Sequence, residues 1–200
     1  KNLLPDIQAF KPSVLLVVPR VLEKVYNAAS SKAGGGIKGR MFAWSAKQAR
    51  TFSVASAKTF GPGLFKKMRH GIADALVLKK IRSVLGPNLR YIVSGGAPLA
   101  TDLAHFYAGM GITLIQGYGL SETTGPISVQ HIGKNPVGGV GLPLPGNFIK
   151  IAKDGEILVR GQSVMPGYYH LPEQTAEVMP DGKWFHTGDL GSIDRKGQLT

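Results

Sequence analysis

The 200-residue sequence has no cysteine, which excludes a disulfide framework and any thiol chemistry. No apolar run approaches the roughly 20 residues that cross a bilayer as a helix, and no signal peptide opens the chain. The five histidines are scattered, with no i, i+4 pair and no carboxylate at metal-ligand spacing. His70 and His105 therefore read as helix-surface or core residues. Neither G-x-x-x-x-G-K-S/T nor G-x-S-x-G occurs, so a Walker-type loop and a Ser/His/Asp hydrolase have no support. Internal repeats and low-complexity segments are absent as well.

Acidic residues are scarce in the first half. Residues 1–90 hold 17 Lys and Arg against 3 Asp and Glu, a balance of +14, while residues 91–200 hold 7 against 9. A basic half attracts anionic lipid, nucleic acid or an anionic ligand, and equally reads as a solvated helical surface. No RNP, zinc or helix-turn-helix pattern accompanies it, so no nucleic-acid partner is expected. A hydrophobic content of 43% is enough for one large domain or two small ones. Lys1 opens the chain and Thr200 falls in what reads as mid-strand, so we expect a fragment of a longer protein.

The chain is organised around residues 94–130. Two small loops, Ser94-Gly95-Gly96-Ala97-Pro98 and Gln116–Gly125, each follow an apolar run, Tyr91–Val93 and Ile112–Ile115. Between them Leu99, Leu103, Phe106 and Met110 recur at helical spacing. The unit predicts parallel strands with a right-handed crossover. Both loops would then lie at carboxyl ends of strands, where open α/β sheets bind ligands.

Upstream, Val14–Val18 predicts a central parallel strand, ended by Pro19, and Arg20–Ser30 a helix. Residues 37–85 predict basic helices interrupted by Gly61-Pro62-Gly63. In the second of these, Leu64, Met68, Ile72, Leu76 and Val84 fall near helical spacing. An insertion of this size, about 31–86, exceeds an ordinary connection. Downstream, Phe148–Ala152 and Glu156–Arg160 alternate around Lys153-Asp154-Gly155, a hairpin signal. Glu173–Met179 reads as a short helix and Lys183–Thr187 as a strand. The expected class is α/β: a parallel sheet flanked by helices over 1–131, with the basic helical insertion. A small, mainly-β, barrel-like lobe follows over 132–200.

Three groups in this frame can do chemistry. Gly95-Gly96-Ala97 lets a flat group approach the backbone, with Tyr118 as a stacking face, but it also reads as a plain tight turn. Ser121-Glu122-Thr123 offers hydroxyls to a phosphate and a carboxylate to Mg²⁺, or simply caps a helix. In Thr187-Gly188-Asp189 the acid sits on a turn after a strand. It can hold both ribose hydroxyls, or make an ordinary Asx turn.

In this order and spacing, SGGAPL, QGYGLSET, GEILVRGQSVMPGYY and WFHTGDLG resemble the middle motifs of the adenylate-forming superfamily. VVPRVLEKVYN, the basic insertion and HTGDLG resemble its long-chain fatty acyl-CoA synthetases most closely. The resemblance implies part of the large N-terminal domain of an enzyme that joins a fatty acid to ATP, giving acyl-AMP and pyrophosphate, and then passes the acyl group to CoA. ATP, Mg²⁺ and CoA are its implied cofactors and co-substrates, and a long-chain fatty acid its substrate. Gly95, Gly96, Ala97, Gln116, Gly117, Tyr118 and Gly119 match the nucleotide-pocket loops. Ser121 matches the phosphate-facing hydroxyl residue, where the family more often has Thr. Glu122 matches the metal ligand and, with Ser121, the catalytic pair. Asp189 matches the ribose-binding acid, and Gly139 and Gly141 fall in a loop matched to the acyl site.

The family's Ser/Thr/Gly-rich phosphate loop and its C-terminal lid with the adenylation lysine are not in these 200 residues, so the fragment alone is expected to be inactive. The implied location is cytoplasmic, with a peripheral contact to anionic membrane. Two alternatives stand beside this: an adenylate-forming ligase with another acceptor, such as a fatty acyl-AMP ligase, and a non-catalytic basic membrane-binding module.

Overall fold

The structure is a computed structural model that describes residues 3–132 and 137–200. The described residues divide into two compact units, 3–114 with 137–138, and 115–132 with 139–200.

In the first unit, helix α1 (Leu3–Phe10) precedes strand β1 (Val14–Val17), and helix α2 spans Pro19–Ala33. Pro19, expected only to stop the strand, opens α2 at its first turn. There its missing N–H costs nothing and its fixed φ suits the helix. Helices α3 (Gly36–Ser56) and α4 (Leu64–Ala73), a π-helical turn (Asp74–Leu78) and α5 (Lys79–Leu85) form the insertion, followed by β2 (Tyr91–Ser94) and α6 (Thr101–Gly109). The Gly61-Pro62-Gly63 break lies between α3 and α4 as expected. Strands β1 and β2 are parallel, in register from Val14↔Tyr91 to Val17↔Ser94.

The core of this unit gathers Leu22 of α2, Phe42 and Ala49 of α3, Leu78, Leu85, Ile92, and Phe106 and Tyr107 of α6. Leu99, Leu103, Phe106 and Met110 are all buried, so the expected α6 face is the one that packs. Each such side chain contributes about 1.5–3 kcal/mol by leaving water. Tyr107 carries its hydroxyl into the core and donates to Leu22 O at 2.8 Å. Burial pushes that hydroxyl well above the usual tyrosine range.

The stripe Leu64, Met68, Ile72, Leu76 behaves differently. It forms helix, but these side chains are exposed, and the buried positions are Ala73, Leu78, Ile81 and Leu85. The π-helical turn adds a residue to the repeat and shifts the phase, so the face that packs changes between α4 and α5.

The second unit is antiparallel. Strand β3 (Thr113–Leu120) runs into it and pairs with β4 (Gly125–Val129), which pairs with β5 (Leu142–Pro143). Strands β6 (Asn147–Ile151), β7 (Glu156–Gly161) and β8 (Phe185–Leu190) form a three-stranded sheet in that order, and helix α7 spans Pro172–Val178. The predicted hairpin is present: Gly155 takes φ +93°, and Ala152 N–H donates to Glu156 O at 2.8 Å. Ile127, Ile157, Val159 and Leu199 make its small core, with Tyr118 packed against it.

Candidate functional site

Gly95, Gly96 and Ala97 follow the carboxyl end of β2 in the first unit. Gly96 sits at φ +78°, and both Gly96 and Ala97 are exposed. An open cavity of about 550 Å³ in the same unit is lined by Lys11, Ser13, Asn88, Arg90 and Tyr91 among others. It lies where β1 and β2 begin, at the opposite ends of the strands from Gly95–Ala97, and holds none of the sequence-predicted residues.

In the second unit, Gln116–Gly119 form strand and not the expected loop. Gly117 pairs with Val129, Tyr118 with Ser128 and Gly119 with Pro126, with a bulge between Tyr118 and Gly119. The glycines that suggested a loop answer a packing demand: a Cβ on Gly119 would run into the Gly125 carbonyl. A bulge re-aims the side chain beside it. Tyr118 thereby directs its hydroxyl to Asp189, donating to Oδ2 at 2.7 Å across 71 residues. Burial pushes the Tyr118 hydroxyl far above its ordinary value, and the Asp189 hydrogen bond and the Asp189 and Glu156 charges add to this. The phenol therefore stays protonated and acts as a fixed donor.

Asp189 lies inside β8, not on a turn after the strand. Its sequence neighbour Gly188 does take a left-handed φ of +73°, but within the strand, where the β7–β8 register shifts. Glu156 on β7 accepts Gly188 N–H at 2.8 Å with one carboxylate oxygen and lies 2.8 Å from His186 Nδ1 with the other. Thr187 Oγ1 donates to Ile157 O at 2.8 Å. The Asp189 side chain is exposed, and one hydrogen bond to Tyr118 leaves most of a carboxylate's acceptor sites for a ligand.

Ser121, Glu122 and Thr123 form one 3₁₀ turn after β3. The cap-like reading has partial substance, because Thr123 Oγ1 accepts Leu120 N–H at 2.9 Å and lies 2.8 Å from Gly125 O. Thr123 is thus the structural member, fully buried, while Ser121 is exposed and Glu122 half-buried. Glu122 is held twice by residues 163–168. Its carbonyl accepts Met165 N–H at 2.7 Å, and its Oε1 accepts the Tyr168 hydroxyl at 3.0 Å. The Glu122 carboxylate raises the Tyr168 hydroxyl above its usual range. Neighbouring Thr124, at φ +54°, donates to Ser163 O at 2.8 Å.

Tyr168 and Glu156 were not singled out from sequence, although both lie in the GEILVRGQSVMPGYY stretch. Each acts across 30 residues or more, and only the strand register of β7 with β8 and the fold-back of 163–168 reveal them.

Gln116 and Gly139 are joined through Gln130, whose Oε1 accepts Gln116 N–H at 2.9 Å and whose Nε2 donates to Gly139 O at 2.7 Å. Gly141 takes φ +93°, and a Cβ there would collide with the Val129 backbone. Its carbonyl accepts Leu199 N–H at 2.9 Å. Both glycines therefore serve close backbone packing.

Among the described residues no group of three or more His, Cys, Asp or Glu could hold a metal. A lone half-buried carboxylate does suit Mg²⁺, which takes one or two protein carboxylates and completes its shell with water and substrate phosphates. The donor set at Glu122 fits that ion.

The chain is 50% identical over all 200 residues to long-chain-fatty-acid–CoA ligase FadD15 of Mycobacterium bovis, of which it covers 33%. It is 35% identical over 97% of its length to long chain acyl-CoA synthetase 8 of Arabidopsis thaliana, covering 29% of that protein. The chain thus spans about a third of the curated relatives it matches. Among solved structures, the N-terminal domain of FACL13 from Mycobacterium tuberculosis matches 63% of the chain and 36% of that domain's chain, with a TM-score of 0.51 and 29% identity. The anthranilate CoA ligase AuaEII, in complex with anthranoyl-AMP, matches in fold over 99% of the chain and 31% of its own, with a TM-score of 0.60 and 19% identity. Residues 1–169 match the AMP-binding enzyme family, and the chain belongs to that family.

Proposed function

We propose that this chain is the central part of the N-terminal domain of an AMP-forming long-chain fatty acid–CoA ligase, with sub-domains 1–131 and 132–200. The observation that carries the proposal is the Tyr118–Asp189 hydrogen bond, two nucleoside-binding candidates met as one unit. The 50% identity to FadD15 over the full length supports the fatty-acid substrate and CoA as acceptor.

In this reading Asp189 accepts the ribose hydroxyls while Tyr118 fixes its carboxylate and packs on adenine. Gly95, Gly96 and Ala97 of the first unit, and Gln116, Gly117 and Gly119 of the second, are assigned to the nucleotide by the family resemblance alone. Ser121 donates to a phosphate oxygen. Glu122, steadied by Tyr168, is the residue that would hold Mg²⁺. When bound, Mg²⁺ offsets the roughly four negative charges of ATP and the charge that builds on leaving pyrophosphate. None of these side chains is a covalent nucleophile, so catalysis is positioning and electrostatics. The fatty acid carboxylate attacks the α-phosphorus and pyrophosphate leaves. The CoA sulfur then attacks the acyl carbon, displaces AMP and gives up its proton. Gly139 and Gly141 belong to the acyl side of the site.

The same reading gives the whole protein a cytoplasmic location and a peripheral contact with anionic membrane. No helix among the described residues is long and apolar enough to cross a bilayer.

Pyrophosphate exchange and acyl-CoA formation by the whole protein test the proposal. Oleate, ATP and CoA should give oleoyl-CoA and AMP. Stalling at acyl-AMP with CoA, and turnover with a carrier protein, would assign a different acceptor. The absence of any acyl-AMP would refute the ligase.

A further inference from the structure

Helix α4 packs with its less apolar side. Ala73 is fully buried, the His70 ring stacks on Phe52 of α3 at 4.0 Å, and His70 Nε2 lies 2.6 Å from Gly109 O. At 100° per residue, fixing positions 70 and 73 inward turns Leu64, Met68 and Ile72, with Phe65, to the opposite side. They are indeed exposed, Leu64 at 85% and Ile72 at 47%. Phe60, in the turn that joins α3 to α4, is 99% exposed. The line is therefore most exposed at the turn and less so along the helix. A soluble helix of ordinary pattern does the reverse, and a contiguous apolar line of this kind marks a contact surface.

Charge selects the occupant. Lys58, Lys66 and Lys67 are exposed around the turn, and Lys79 and Lys80 are exposed at the far end of the line. Residues 31–86 contain 12 Lys and Arg and a single acid, Asp74. That acid is clamped by Arg82 through both carboxylate oxygens. No carboxylate of this segment is left to oppose an anionic surface. Apolar side chains ringed by lysines fit the boundary between lipid headgroups and acyl chains, where lysine stems lie on apolar surface and their ammonium groups reach phosphate.

We propose that the α3–α4 turn and the outward face of α4 dock on an anionic lipid bilayer. Phe60, Leu64 and Phe65 enter the acyl boundary, and Lys58 and Lys67 pair with headgroup phosphates. The proposal rests on the peripheral membrane contact in the reading above and names the surface that makes it.

Co-sedimentation of the whole protein with vesicles tests it, using neutral phosphatidylcholine and phosphatidylcholine mixed with phosphatidylglycerol. The wild type should bind the anionic vesicles and release as salt rises. The triple change Phe60→Ser, Leu64→Ser, Phe65→Ser should weaken that binding about 10- to 100-fold. Lys58→Gln with Lys67→Gln should weaken it about 10-fold or more and lower the salt dependence. All five positions are exposed, so melting temperatures should match the wild type. Vesicle binding unchanged in both variants would overturn this surface and leave the membrane contact standing. A wild type that binds neither vesicle would overturn both. Equal binding to neutral vesicles would overturn the electrostatic half. A serine variant that melts earlier, or that only turns a dimer into a monomer, would show the face covered by protein and overturn the proposal.

Discussion

Tyr118 donates a 2.7 Å hydrogen bond to Asp189 Oδ2, from strand β3 to strand β8. The relationship ranks the two residues. In the proposed reading Asp189 meets the ribose, and Tyr118 orients it. In the whole protein, Asp189→Ala should raise KM for ATP about 10- to 100-fold with a much smaller change in kcat, as expected when uniform binding is lost. Tyr118→Phe should raise it about 3- to 10-fold, and the double variant should fall short of the product of the two. Because burial holds the Tyr118 proton far above neutrality, its contribution should not vary between about pH 6 and 9. Steady-state kinetics of the four proteins across pH checks this, and strict additivity would count against the coupling.

The pairing of Tyr168 with Glu122 separates the carboxylate proposed to hold Mg²⁺ from its support. Glu122→Ala in the whole protein should lower kcat by about 100-fold or more. Tyr168→Phe, losing one hydrogen bond to a charged group, should lower it about 10-fold and shift the Mg²⁺ requirement upward. Titration of Mn²⁺ into the nucleotide complex should show weaker metal binding in both variants. If Glu122→Ala kept the rate and the Mg²⁺ dependence, its metal role would be wrong.

What was legible from sequence was whatever depends on near neighbours. The α6 face from Leu99 to Met110, the hairpin at 153–155 and the break at 61–63 follow from spacing and turn chemistry over a few residues. The misreadings share a cause. Gly117, Gly119 and Gly188 suggested loops because glycine weakens a strand in isolation. In the fold Gly119 is demanded by the approach of β4, and Gly188 takes φ +73° at an irregularity inside β8, with its N–H donated to Glu156. The outward face of α4 was hidden because Leu64, Met68 and Ile72 do share one helical face, and spacing alone does not say whether that face meets the core or solvent. Tyr168 was hidden by the 46 residues that separate it from Glu122.

Asp74 and Arg82 predict an acid-sensitive element in the insertion. The hydrogen bond from Arg82, helped by its charge, holds the Asp74 carboxyl below its ordinary 3.8. The folded value is the lower one, so the stabilisation is complete above 3.8 and is lost as pH falls through the folded value. With both side chains near a third exposed, the contribution is about 1 kcal/mol after solvent screening. Asp74→Asn should melt earlier than wild type at pH 7, and the two should converge as the pH drops below about 4. Thermal melts at pH 7, 5 and 3 check the sign, and a gap that widened toward pH 3 would contradict it.

The 200 residues alone should form no acyl-AMP. They carry Glu122, Ser121 and Asp189, which in the proposed reading address the metal, one phosphate oxygen and the nucleoside. No Ser/Thr/Gly-rich phosphate loop occurs in them, and they span only a third of their catalytically named relatives. A nucleotide held at one end samples orientations in which the α-phosphorus is out of line with the carboxylate. The loss of in-line positioning is worth many powers of ten, since proximity and orientation account for about 7–11 kcal/mol of a barrier. Incubating the isolated chain with oleate, Mg²⁺ and ATP, and assaying pyrophosphate exchange beside the whole protein, measures this directly. Exchange by the isolated chain above the uncatalysed background would mean that the residues present already complete the phosphate site.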